Sequence, residues 1–529
     1  MTVPRRAPFL PFVAGLLGLS AAACTVGPDY VAPLPELIDK RSFLDTGRPV
    51  RTAIPILRNT SAAPPEAEWW RVFRDPLLSR LAARVADQNL DVQTATFKVA
   101  ESRAQLGVTA AAAYPTVNGV GSAYNEKFSK NGLSSLIQLA TGGAGNGTGA
   151  TSAFTNPFES YSVGFDAAWE LDLWGKVRRQ VEASQAQVDV TLEARRDVLV
   201  SSLAELARDY IQLRGTQEQI RIIQENIRVN GDILSVTRSR QTGGLTTGLD
   251  TASATSQVES IRAQLPQLQQ QEAAQINAIS LLLGEPPLAL SAELSPRRGV
   301  PPVPARVPVG VPSDLLRRRP DIREAEANLH AAVAGIGVAV AQFFPSVTIT
   351  GTPVLNALDP AKLFQVASLQ YMNLGPSISL PIFEGGRLKS NLQLQEATQK
   401  EKAVAYQKAV LQAWHDVVNA LTALRTDEAR RRLLGGQVVQ ARTALGLARA
   451  RYGQGVDTFT TVLQNAQVLL QAQTTLAQST ATVSTDLVAL YKALGGGWET
   501  AFPVAPQPAT PLVAAVQDTT PADVTVPRH

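Results

Sequence analysis

Two periodicities take turns along the chain. From residue 160, Tyr161, Val163, Phe165, Ala167 and Trp169 alternate with Ser160, Ser162, Gly164, Asp166 and Glu170. Further on, Val347 and Ile349 alternate with Ser346, Thr348 and Thr350, and Leu374, Pro376, Ile378, Leu380 and Ile382 alternate with Gly375, Ser377 and Ser379. Residues 115–124 repeat the pattern more weakly, diluted by glycine. A period of two with one apolar and one small-polar face predicts strands near 115–124, 160–171, 345–353 and 374–383. Strands of about ten residues suit a tilted crossing of a bilayer. The alternation alone fits a soluble, half-buried sheet equally well.

After each strand pair the period changes. Leu192, Leu199, Leu206, Leu213, Ile220, Ile227 and Leu234 recur every seven residues inside a proline-free stretch, 175–241. Such a heptad imposes left-handed supercoiling, and a helix of that length spans about 100 Å. The matching stretch, 387–453, carries Val404, Leu411 and Val418 beside Val410, Val417 and Leu424, with a loosening Gly435-Gly436 pair. Returning helices are expected at 249–283 and 459–494, and shorter ones at 77–112 and 321–341, the last opened by Pro320-Asp321. The other helix faces are small and polar (Gln467, Gln471, Gln473, Thr474, Gln478, Ser479), which suits a wetted lumen and an ordinary solvated coiled coil alike.

The two halves superpose. Tyr114-Pro115-Thr116-Val117 matches Phe344-Pro345-Ser346-Val347, Leu173-Trp174-Gly175-Lys176 matches the segment around Phe383-Glu384-Gly385-Gly386-Arg387, and 240–250 matches 451–461. The offset drops from 230 to about 210 residues because the first half carries a Gly/Ser/Thr-rich insertion, 131–152, an exposed loop by composition. This gives a first repeat over 66–295, a Pro-rich linker at 296–312, a second repeat over 313–498 and a disordered tail, 499–529.

The N-terminus is an address. Arg5 and Arg6 precede an apolar run, 9–19, then Ser20-Ala21-Ala22-Ala23 and Cys24, the chain's one cysteine. Residues 1–23 read as a signal peptide and Cys24 as a lipid-attachment site, opening an extended segment, 24–65. A lone cysteine excludes an internal disulfide and a cysteine-rich zinc module, and the three histidines (His330, His415, His529) lack ligand spacing. A net charge of +4 gives no reason to expect nucleic acid. No Gly-x-Ser-x-Gly, phosphate loop or His-ligand pair points to an enzyme, and Asp166, Glu170 and Asp172 form an acid cluster without a base. No metal or cofactor is expected beyond lipid on Cys24. Four strands cannot close a barrel, and an open sheet edge is not tolerated in lipid, so transmembrane strands demand an oligomer.

The lipobox, Val26-Gly27-Pro28-Asp29-Tyr30, the run Trp69-Trp70-x-x-Phe73-x-Asp75-Pro76-x-Leu78 and the doubled strand-pair-and-hairpin together resemble the outer-membrane efflux factor family, in its NodT-type lipoprotein branch related to TolC-type channels. The resemblance covers residues 24–498. It implies an α/β membrane protein: a homotrimer whose chains give four strands each to a twelve-stranded β-barrel in the outer membrane, continued by an α-helical coiled-coil tunnel through the periplasm. It implies a passive efflux channel for small toxic solutes or drugs, working with a periplasmic membrane-fusion adaptor and an inner-membrane RND-type transporter. Thr25 after the cysteine, where an aspartate favours the inner membrane in such lipoproteins, implies outer-membrane lipid.

By position, the hairpin tips near 242–249 and 453–458 match the family's periplasmic aperture, with Gly244-Leu245 and Gly455-Val456 as adaptor-facing motifs. The glycines serve an interhelical turn in either case. Asp250 and Tyr452 match a polar link that holds the aperture shut, though Asp250 could equally cap its own helix. Asp457 stands where the TolC type has a base, and Thr461 and Gln464 stand where it has acids, so a lumenal carboxylate ring is missing at this gate. Competing readings are an exit duct for metal ions or type I secreted proteins, and a non-conducting structural envelope lipoprotein. Having only Met1 and Met372 argues against a thioether-lined metal route.

Overall fold

The computed structural model describes residues 25–33, 60–61, 63–126 and 158–503. Cys24, the insertion 131–152 and the tail beyond 503 lie outside the described residues. The main helices are α1 (Pro76–Gln88), α2 (Leu90–Ala111), α3 (Lys176–Thr242), α4 (Gly248–Arg262), α5 (Leu265–Leu282), α6 (Pro320–Ala341), α7 (Arg387–Gly453) and α8 (Phe459–Leu494). The main strands are β1 (Thr116–Glu126), β2 (Phe158–Leu171), β3 (Ser346–Ala357) and β4 (Leu369–Ser379). Helix and strand are segregated: one antiparallel sheet in the order β1-β2-β3-β4, from which the long helices run on.

The sheet is two-faced. Register places Val117, Phe165, Trp169, Ile349, Tyr371 and Ile378 on one face, all of them exposed. The other face is polar and hydrogen-bonded: Ser122 and Ser162 hydroxyls meet at 2.6 Å, and Thr352 donates to Asp166 at 2.9 Å. A broad exposed apolar face beside a satisfied polar one is the arrangement of a sheet that meets lipid on one side and water on the other. β1 and β4 each leave one edge unpaired among the described residues.

α3 and α7 both run 67 residues without a break, about 100 Å. On α3 the heptad is used as it reads: Leu199, Leu206, Leu213 and Ile220 are buried. On α7 the stripe of Val410, Val417 and Leu424 is buried and Val418 packs half-buried beside it, whereas Val404 and Leu411 are exposed. The main core forms where the middle of α3, the first half of α7, the end of α8 and α1 converge. Into it the Trp69-Trp70-x-x-Phe73 run inserts three buried rings, with Trp69 stacked on Tyr491 at 5.4 Å. Asp75 then caps α1, accepting from Leu77 N–H at 2.8 Å, and takes the Tyr210 hydroxyl at 2.6 Å. That motif is a structural seat beside the middle of α3. The Pro-rich segment is packed there too: 307–308 pairs in parallel with 60–61, and Pro301 O accepts from Ser484.

Several boundaries differ from the expected ones. The helix expected over 77–112 is two, because Asn89 is extended and its buried side chain accepts from Asp91 and Val92 N–H while donating to Leu282 O at 2.8 Å. The helix expected over 249–283 is also two, restarted at Leu265 with Pro266 in its first turn. β4 begins at Leu369 and stops at Ser379, since its partner β3 starts at Ser346 and offers nothing to pair with Leu380 or Ile382. The Gly435-Gly436 pair leaves α7 unbroken. Disorder does not begin at 499: Phe502 packs on the core, and its carbonyl accepts from Arg196 at 3.2 Å.

Candidate gate and anchor at the two ends of the hairpins

Each tip is built the same way. Leu245 N–H bonds to Arg240 O at 2.8 Å and Gly244 N–H to Gln241 O at 2.9 Å; at the second tip Val456 N–H bonds to Arg451 O and Gly455 N–H to Tyr452 O, both at 3.0 Å. This paired closure requires a left-handed residue, supplied by Gly244 at φ 72° and Gly455 at φ 75°. In this motif the residue after the glycine ordinarily packs back on its helix. Here Leu245 is 72% exposed and Val456 63%. Both tips therefore present an aliphatic side chain outward from a stiff turn.

The expected Asp250–Tyr452 link is absent. Asp250 sits in the first turn of α4, and its carboxylate accepts from Thr246 just ahead of the helix, serving its own turn. The Tyr452 hydroxyl is buried and without a partner. The hairpins are joined instead by Arg240, which donates from Nη1 to Tyr452 O at 2.8 Å and lies over the Tyr452 ring at 4.6 Å. Asp457 likewise stays within its turn, accepting from Arg451 and Thr461 at 3.2 Å. Desolvation raises its carboxyl, but the bonds from Thr461, Thr458 N–H and Arg451 outweigh that and hold it below the ordinary range. Gln464 is exposed on α8.

Above the tips the small-polar face is partly occupied in helix-to-helix bonds, with Gln467 donating to Gln257 at 2.8 Å and Asn226 to Gln473 at 2.9 Å. At mid-helix, burial and the facing Asp427 push the Asp486 carboxyl up to about 7. The acids near the sheet are paired: Glu170 with Lys176 at 2.9 Å and Asp172 with Arg178 at 3.2 Å. Among the described residues no group of three or more His, Cys, Asp or Glu could hold a metal ion.

At the sheet end, the segment just after Cys24 is pinned to the helices. Val26 N–H bonds to Trp174 O at 3.1 Å, Asp29 pairs with the buried Arg179 at 2.6 Å, and Tyr30 stacks on His330 at 4.3 Å. Gly27, at φ 94°, lies so close to Gly337 that a Cβ would fall 2.5 Å from its Cα. The Val-Gly-Pro-Asp-Tyr motif is thus a docking strip, and both glycines are needed for its close approach.

Comparison with known proteins agrees with this geometry. The family model described as "Outer membrane efflux protein" matches residues 81–285 and 311–496. The chain is 31% identical to the pyoverdine export outer membrane protein OpmQ of Pseudomonas putida, covering 95% of this chain and 100% of that one. It is 30% identical to the antibiotic efflux pump outer membrane protein ArpC of Pseudomonas putida, over 91% of this chain and 96% of that one. Among solved structures, the outer-membrane channel OprN superposes with a TM-score of 0.78 at 31% identity, covering 90% of this chain and 100% of that chain. Exposed apolar sheet, unbroken long hairpins and relatives all converge: the chain belongs to the outer membrane efflux protein family and is the outer-membrane channel component of an efflux system.

Proposed function

We propose that three copies close the sheet into a twelve-stranded barrel and continue it as one helical tunnel, through which solutes pass passively and without chemistry. The observation that carries this reading is the four-stranded sheet itself, apolar and exposed on one face and unpaired at both edges among the described residues. Lipid does not tolerate such edges, and four strands are too few to close. The uncovered Val404 and Leu411 on α7 support the same conclusion, because a neighbouring copy would bury them. Leu245 and Val456 would meet a periplasmic membrane-fusion adaptor, which would couple the channel to an inner-membrane RND-type transporter. Small toxic solutes or drugs are the cargo that fits relatives named for pyoverdine export and antibiotic efflux. Lipid on Cys24 would tether the docking strip to the outer membrane.

The test is electron microscopy of the detergent-extracted protein, with planar-bilayer conductance on the same sample. A hollow threefold particle with a stem of about 100 Å that conducts is the expected result. A thin rod that does not conduct would overturn the reading.

A further inference from the structure

A cavity of about 320 Å³ lies where the sheet meets the helices, bounded by the end of α2, the end of β2, the start of α3 and Thr25. That is near the lower end of the roughly 300–1,000 Å³ of small-molecule sites. Its walls are apolar: Ala110, Ala113, Tyr114, Trp169, Val177 and Val181. Apart from the Tyr114 and Thr25 hydroxyls, the polar groups around it are already engaged. Trp169 Nε1 donates to Ala113 O at 3.0 Å, Asp172 accepts from Val177 N–H, Arg178 N–H and Arg178 Nε, and Glu182 accepts from Arg179 and His330. Such a site offers mainly shape and hydrocarbon, with two hydroxyls, so its occupant is predominantly apolar.

Thr25 identifies that occupant. It lines the cavity and is wedged against Gly175, where a Cβ would come within 2.7 Å of its Cγ2. The next residue is held by the Val26–Trp174 backbone bond. Cys24 Cα is one peptide step away, about 3.8 Å. We propose that the cavity seats an acyl chain carried on Cys24, so that the lipid grips the junction of its own sheet and helices. This rests on the reading of Cys24 as lipidated. A tethered chain beginning at the mouth has a large advantage in effective concentration over a free bilayer lipid. Tyr114 and Trp169, half exposed at the strand ends, place the mouth at the depth where such rings border the hydrocarbon.

The test is photocrosslinking of the full chain in outer membranes. A benzoyl-phenylalanine is placed at Ala113, with the same probe at the exposed Val236 on α3 as control. After irradiation and digestion, mass spectrometry should find the residue-113 peptide joined to the lipid-bearing Cys24 peptide, about tenfold above the control. The probe at the half-exposed Tyr114, an aromatic-for-aromatic exchange, repeats the measurement if position 113 does not accept it. Crosslinks to free phospholipid, to a second copy of the chain, or none above control would overturn the seat. An N-terminal peptide lacking the lipid mass in the same digest would overturn the lipidation reading itself.

Discussion

Arg240→Ala should loosen the tips. The Arg240 guanidinium makes the bond to Tyr452 O at 2.8 Å and the stack on its ring at 4.6 Å, and so ties the end of α3 to the end of α7. A hydrogen bond from a charged donor contributes about 1.5–3 kcal/mol net, and an exposed cation–π contact about 0.5–1 kcal/mol. Arg240 is only half buried at a wet tip, so the lower ends apply, and solvent screening trims their sum of about 2 kcal/mol to roughly 1.5–2 kcal/mol. At 1.4 kcal/mol per factor of ten, the balance of joined and parted tips shifts about ten- to thirtyfold per chain. Single-channel recording in planar bilayers reads this as larger or more frequent openings. Tyr452→Phe removes a hydroxyl that has no partner, and Asp250→Ala breaks a bond confined to one turn, so both should conduct like wild type. If Asp250→Ala or Tyr452→Phe opened the channel while Arg240→Ala did not, the assignment of the tie to Arg240 would be refuted.

Three further predictions concern other parts of the chain. Asn89→Ala removes the cap of α2 and leaves the Leu282 carbonyl unpaired, which should cost about 2–3 kcal/mol and show as a lower midpoint in denaturant. Asp486 has its folded pKa raised to about 7, against about 3.9 unfolded. The folded state therefore holds the extra proton, and stability falls as pH rises from about 4 to about 7. Asp486→Asn should be more stable than wild type at pH 8 and indistinguishable from it below pH 4 by thermal melting. Leu245→Asp with Val456→Asp puts charges on the two outward tip residues, which should abolish export in cells while the amount of channel in outer membranes, measured by immunoblot, stays unchanged.

The long helices were legible because a heptad stripe is a property of one segment: the α3 leucines announce both the helix and the face it buries. On α7 two stripes are equally apolar, and only packing decides that Val410, Val417 and Leu424 go inside while Val404 and Leu411 stay out. The break at Asn89 depends on the Leu282 carbonyl, nearly two hundred residues away, and a helical period read through it. Pro266 stood in plain view, but a proline in a helix's first turn and one inside a helix look alike until the restart is seen. The tie between hairpins escaped because its acceptor is a main-chain carbonyl, which every residue type carries. Matching a carboxylate to a phenol chose the more conspicuous pair. Val-Gly-Pro-Asp-Tyr marked the family without revealing its task, since the contact that explains Gly27 is with Gly337, far along the chain.

The two sheet edges left unpaired among the described residues would, on the proposed closure, also set the order of the insertion reaction. If copies close the barrel together as proposed, a lone chain would not enter lipid with those edges bare, and the rate of appearance in the membrane would depend on more than the first power of chain concentration. Halving expression should then cost the cell more than half its channels. Chains waiting for company, with their apolar face uncovered, would be the species that periplasmic chaperones hold and proteases remove.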